Sequence, residues 1–107
     1  MKRKASFTCQ LCGKEAGSIA VIDNDHVRLR GLYDRTESAN SRAFKAIDNS
    51  DARALYQFNE EYVPLYCPQC DCFYCKEHWK IWEERDDGFY DCTYGVCPAG
   101  HKRKMDD

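Results

Sequence analysis

The chain has no run of residues apolar and long enough to cross a membrane. Its basic start, Met1-Lys2-Arg3-Lys4, leads into ASFTCQLCGKE, with no apolar stretch of the kind that marks an export signal. Both absences point to a cytoplasmic protein with no membrane partner, and cytoplasmic thiols stay reduced. Proline and glycine are scarce, at 3 and 6 residues, and no internal repeat or low-complexity segment stands out. An excess of one charge is also missing. The 16 basic and 18 acidic side chains leave a formal net charge of −2, which argues against nucleic acid as the partner. Nor is there an H-E-x-x-H or an H-x-E…P-C-x-x-C arrangement, so a zinc hydrolase or deaminase is the weakest of the functional readings.

What the chain has in excess is cysteine, with 8 in 107 residues. A single domain of this size buries only a modest core and benefits from staples. An even count also suits a disulfide scaffold. In a reduced compartment, however, cysteines two apart and interspersed with histidine read as metal ligands. The stretch LYCPQCDCFYCKEHW alone holds Cys67, Cys70, Cys72, Cys75 and His78, one ligand too many for one tetrahedral site and too few for two.

Across the whole chain the ligands sort into four compact pairs: Cys9/Cys12, Cys67/Cys70, Cys75/His78 and Cys97/His101. Two thiolates flanking a tight turn point at one ion, and turn N–H groups stabilise their charge. Gly13 suits the backbone bend after Cys12. Cys75 and His78 stand at i, i+3, one face of a helix start, and Cys97-x-x-x-His101 has the wider spacing seen with imidazole. Four pairs make two sites, and the mix of thiolate with imidazole selects two Zn2+ over calcium, magnesium or an iron–sulfur cluster. Cys72 and Cys92 are left over as spare thiols, and His26 is an exposed strand residue. Pairing in sequence would join Cys9, Cys12, Cys67 and Cys70. Interleaving would give Cys9, Cys12, Cys75 and His78 at one ion, with Cys67, Cys70, Cys97 and His101 at the other.

The chain between the pairs predicts a β-hairpin over 18–33, where Val27 and Leu29 alternate with Arg28 and Arg30. Residues 34–62 predict one or two short helices, the second capped by Asn49 or Ser50 with Asp51 in its first turn. A third helix is expected over 76–85, with Trp79 and Trp82 at i, i+3 and Asp87-Gly88 as its stop. Residues 1–8 and 102–107 are expected to be tails around one domain, 9–101, whose insert spans 13–66. Arg42, Arg53, Tyr56 and Phe58 of that insert either form a partner surface or cap the zinc core.

The interleaved pairing is favoured because knuckle, hairpin and then a helix bearing the last two ligands is the order of a treble-clef site. Two interleaved zincs resemble the cross-brace of RING-type domains. CQLC looks like a first RING knuckle, in which Leu11 takes the place of the apolar residue that meets a ubiquitin-conjugating enzyme. Trp82 lies where such domains often carry a tryptophan, as does Trp79, which is better read as core. Cys97-Pro98 is similar to a final RING pair, and Lys102 or Arg103 occupies the place of a basic clamp residue. Cys70-x4-Cys75-x2-His78 is similar to part of an AN1-type finger. The sequence departs from the RING pattern in the long gap between Cys12 and Cys67, in histidine as ligands six and eight, and in three residues within the last pair. The resemblance covers the zinc framework only. It implies a small α+β zinc-stabilised domain, a treble-clef or RING-like cross-brace with a β-hairpin and helical insert. Such a domain is a protein-interaction module that docks a ubiquitin-conjugating enzyme, as a ligase or ligase adaptor, through Leu11, Trp82, Pro98, Lys102 and Arg103 without catalytic side chains. The alternative is a zinc-stabilised structural or binding module with no transfer activity, for protein or, as the weaker version at this net charge, for nucleic acid through Arg28, Arg30, Arg35 and the basic tail.

Overall fold

The computed structural model describes residues 3–106, so Met1, Lys2 and Asp107 of the expected tails lie outside it. The fold is a small mixed α/β domain with three sheets and two helices. Strands β1 (Lys4–Thr8), β2 (Glu15–Val21), β3 (His26–Arg30) and β4 (Arg35–Ser38) form an antiparallel sheet in chain order. The expected hairpin is its β2–β3 pair, with Ile19 opposite Leu29 and Val21 opposite Val27. Alternation sorts the faces, since Ala5, Ile19, Val27 and Leu29 are buried while Lys4, Arg28 and Arg30 are exposed.

Helix α1 (Ser41–Asp48) buries Ala43, Phe44, Ala46 and Ile47. Asn40 caps it by accepting from the backbone N–H groups of Arg42 and Ala43. Helix α2 (Ala52–Phe58) follows, and its cap corrects the expectation. The capping residue is Asp51, whose carboxylate accepts from Ala54 N at 3.1 Å, while Ser50 turns the chain at φ 49°. A 3-10 turn at Glu60–Tyr62 leads into the two-residue strands β5 (Tyr66–Cys67) and β6 (Cys72–Phe73).

The remainder is a three-stranded meander of β7 (Lys80–Asp86), β8 (Phe89–Val96) and β9 (Lys102–Asp106). This overturns the third helix. Trp79 and Trp82 are three apart, which reads as one helical face. In the fold Trp79 is buried just before β7 and Trp82 is half-buried within it, because β8 offers a continuous antiparallel partner. Asp87 (φ 50°) and Gly88 (φ 84°) form the hairpin turn between β7 and β8 instead of stopping a helix. Residues 4–8 and 102–106, expected as tails, are strands β1 and β9. Gly95 makes room for the core beneath this sheet. A side chain there would stand 2.5 Å from Met105 Cε and 3.1 Å from Trp79 Cε3. No helix among the described residues is long and apolar enough to cross a membrane.

Candidate metal centres

Two groups of four ligands converge, and their membership is interleaved along the chain: Cys9, Cys12, Cys75 and His78 in one, Cys67, Cys70, Cys97 and His101 in the other. Within each group all ligand atoms lie within 4.8 Å of one another. In the first, Cys9 Sγ stands 3.4 Å from His78 Nδ1, Cys75 Sγ 3.2 Å from the same nitrogen, and Cys12 Sγ 3.6 Å from Cys75 Sγ. In the second, His101 Nδ1 is 3.3 Å from Cys70 Sγ, 3.5 Å from Cys97 Sγ and 3.7 Å from Cys67 Sγ, and Cys70 and Cys97 are 3.8 Å apart.

These separations test the fit to a metal. Sulfurs about 2.3 Å from a central zinc in a tetrahedron stand roughly 3.8 Å apart, and a nitrogen ligand somewhat closer. Both groups have that edge length, and both histidines turn Nδ1 inward. The two Cys3His groups are positioned to bind two zinc ions. Four protein ligands fill a tetrahedral shell and leave no place for an activated water, so each group is built as a structural site.

The first group is assembled by strand packing. Cys9 lies beside Phe73 in a short parallel bridge, Gln10 N donates to Phe73 O at 2.8 Å, and Phe7 stacks on Phe73 at 4.2 Å. These contacts carry the Cys9/Cys12 knuckle to the chain that enters Cys75. The knuckle closes with Cys9 N donating to Lys14 O and Gly13, at φ 75°, donating to Cys9 O. Cys75 and His78 sit in a turn, with His78 N donating to Cys75 O, rather than in the expected first helical turn. An exposed Lys14–Glu77 ion pair at 3.1 Å spans the two turns.

The second group hangs on the meander. Cys97 and His101 occupy the β8–β9 turn, closed by Cys97 N to His101 O at 2.9 Å and eased by Gly100 at φ 91°. Cys67 and Cys70 are held against it because the preceding chain is tied down: Trp79 Nε1 donates to Leu65 O, and Arg103 donates to Val63 O and Tyr66 O.

Electrostatics prepare part of the set. Burial would raise the Cys9 thiol, but N–H groups of Cys75, Cys12 and Leu11 outweigh it and bring Cys9 down to about 6. Cys67 goes the other way. Burial, with other thiols at hand, pushes it up to about 11, so a cation at that position would have to draw off its proton. All eight cysteines are free thiols, which overturns the disulfide alternative in this structure.

Cys72 and Cys92 belong to neither group. Cys72 pairs across from Cys67 in the β5–β6 ladder, and Cys92 is buried in β8. Serine at either position is expected to leave two zincs per chain by elemental analysis. Loss of one zinc in either variant would show that the ligand sets are wrong.

The residues expected to meet a partner separate. Leu11 is 57 % exposed between Cys9 and Cys12, and Pro98 is exposed in the second knuckle. Trp82 is half-buried against Tyr94, and Lys102 Nζ lies over both rings, at 4.3 Å from Tyr94 and 5.5 Å from Trp82. Arg103 is a correction. Its strand neighbour faces water, but Arg103 itself points inward, is 7 % exposed, and spends its guanidinium on backbone carbonyls. Sequence reasoning missed this clamp because an arginine in a Lys-Arg-Lys run reads as solvated. Within the insert, Arg53 donates to Pro68 O and pairs with Asp71, and Tyr56 packs on Tyr66 and under Arg103. Those two side chains cap the zinc core.

Residues 32–107 match the model of a family described as a domain of unknown function (DUF8328), and the chain belongs to that family. The matched segment holds all four ligands of the second group but only Cys75 and His78 of the first. No curated protein and no solved structure matches the chain.

Proposed function

We propose that this DUF8328 member is a zinc-stapled protein-interaction module, a RING-like cross-brace of treble-clef type that docks a ubiquitin-conjugating enzyme as a ligase or ligase adaptor. The observation that carries the reading is the pair of closed, interleaved Cys3His groups, with Leu11 projecting 57 % exposed from the first knuckle. A closed metal shell supplies rigidity rather than chemistry. Any acceleration of transfer would come from fixing the loaded enzyme in a reactive pose. Leu11 would be the apolar anchor, with Pro98 and Lys102 as outer contacts.

The alternative, a binding module without transfer activity, draws on a specific observation. Arg103 is committed to the core and Lys102 to the Trp82–Tyr94 rings, which leaves no unengaged basic clamp among the five residues.

Leu11→Ala separates the two. It is expected to weaken binding of a conjugating enzyme by roughly tenfold or more, the worth of one buried leucine, with zinc content and circular dichroism unchanged. Heteronuclear NMR titration against a panel of conjugating enzymes measures it. If the parent chain binds none of them, the ligase reading is lost and the plain binding module stands.

A further inference from the structure

The outer face of the four-stranded sheet carries a feature unrelated to the zinc groups. On β2 the outward residues Ser18 and Ala20 are small, while the flanking strands carry long cations: Lys4 opposite Ala20 on one side, Arg28 and Arg30 opposite Ala20 and Ser18 on the other. Small side chains between long ones make a channel of about 420 Å³ along β2, which Arg3 and Ile22 also line.

Its charge is lopsided. Four cations line it against one carboxylate, Glu15. Arg3 meets Asp48 at 3.4 Å and Arg30 meets Asp34 at 4.0 Å, both in exposed pairs that hold little energy. Among the described residues neither Lys4 nor Arg28 forms an ion pair. The small net charge of the chain hides this, because Glu83, Glu84, Asp86, Asp87 and Asp91 gather on the β7–β8 hairpin.

We infer that this channel binds the phosphodiester backbone of single-stranded nucleic acid, independently of any conjugating-enzyme docking. Arg28 and Arg30, two apart on a strand, stand about 6.8 Å from each other along the wall, a repeat suited to successive phosphates. Guanidinium forks match phosphate oxygens better than a lysine point charge does. The walls, on strands about 9.6 Å apart, admit one backbone and exclude a duplex. No aromatic ring among the described residues lines the channel, so recognition is of backbone and not of base sequence.

The test is fluorescence anisotropy of the zinc-loaded full chain with labelled single-stranded and duplex oligonucleotides. Single-strand affinity is expected to fall roughly 20- to 50-fold between about 50 and 200 mM salt, as three or four phosphate contacts dictate. The double variant Arg28→Glu/Arg30→Glu is expected to lose at least about tenfold in affinity at low salt while keeping both zincs. Absence of binding by the parent at low salt, equal affinity for duplex, or an unaffected double variant each overturns the assignment. Tighter binding of polyglutamate than of the oligonucleotide would also overturn it, and would give the channel to an acidic protein instead.

Discussion

Replacing Cys9 and Cys75 together with serine is expected to remove one zinc per chain; replacing Cys9 and Cys67 together is expected to remove both. The contrast follows from the interleaving. Cys9 and Cys75 share an ion, whereas Cys9 and Cys67 serve different ones. Sequential pairing would give the reverse result, because Cys9 and Cys67 would then be partners. Elemental analysis of the purified variants decides it, and cobalt substitution adds a check, since each intact group should give the spectrum of a tetrahedral three-sulfur, one-nitrogen site. The stability consequence is large. Binding of a structural zinc is worth about 10–16 kcal/mol in zinc-finger peptides at neutral pH, so one intact group can still hold its ion while loss of both leaves the small core without either staple. Chelation of both ions should therefore unfold the chain, seen as loss of far-ultraviolet dichroism that zinc restores. A chelated chain that keeps its dichroism would mean that the apolar core alone holds the fold.

The ligand groups were legible because each pair is a local device. Cys9-x-x-Cys12 closes its own turn through Gly13, and no distant residue is needed to recognise it. The β2–β3 hairpin was legible for the same reason, with Val27 and Leu29 alternating against two arginines. The misses share the opposite property. β7 is a strand because β8 lies beside it, and WKIWEER alone, with Trp79 and Trp82, has the tryptophan spacing of a helix. One local clue was available: Asp87-Gly88 between alternating segments is a hairpin signal before it is a helix stop. β4 had no apolar pattern to read. Its inward residues are Arg35 and Glu37, and the Arg35 guanidinium pairs with Glu37, Glu61 and Asp106 at 3.0, 3.0 and 3.4 Å, although Arg35 Nε and Glu37 Oε2 are buried without a hydrogen-bond partner among the described residues. A charged strand of that kind is invisible until its partners, far off in the chain, are in place. The same network takes Arg35 out of contention as a surface cation.

Arg103→Ala is expected to be the most damaging change outside the ligands. The guanidinium donates to Val63 O at 2.8 Å, Tyr66 O at 2.7 Å and Glu60 O at 3.0 Å, and lies 5.1 Å from the Tyr56 ring. Burial pulls its pKa down, yet a guanidinium keeps its proton, so a full charge sits in the core, held by carbonyl dipoles. Alanine would take the charged donor from those carbonyls, leaving Val63 O with Tyr66 N alone at 3.1 Å, and would leave the space beneath Tyr56 unfilled. At about 1–3 kcal/mol for each buried group left unpaired, the loss should reach roughly 3 kcal/mol or more. In a domain of this size that lowers the melting temperature of the zinc-loaded chain by about 15 °C. Lysine should recover little, because one ammonium cannot span carbonyls from three places along the chain. The damage should also be lopsided. Val63 to Tyr66 run straight into Cys67, so a competing chelator should strip the second zinc faster while the first, assembled around Phe73, leaves at its usual rate. A melting point within a few degrees of the parent, or equal acceleration at both ions, would show that the clamp does not anchor the second group.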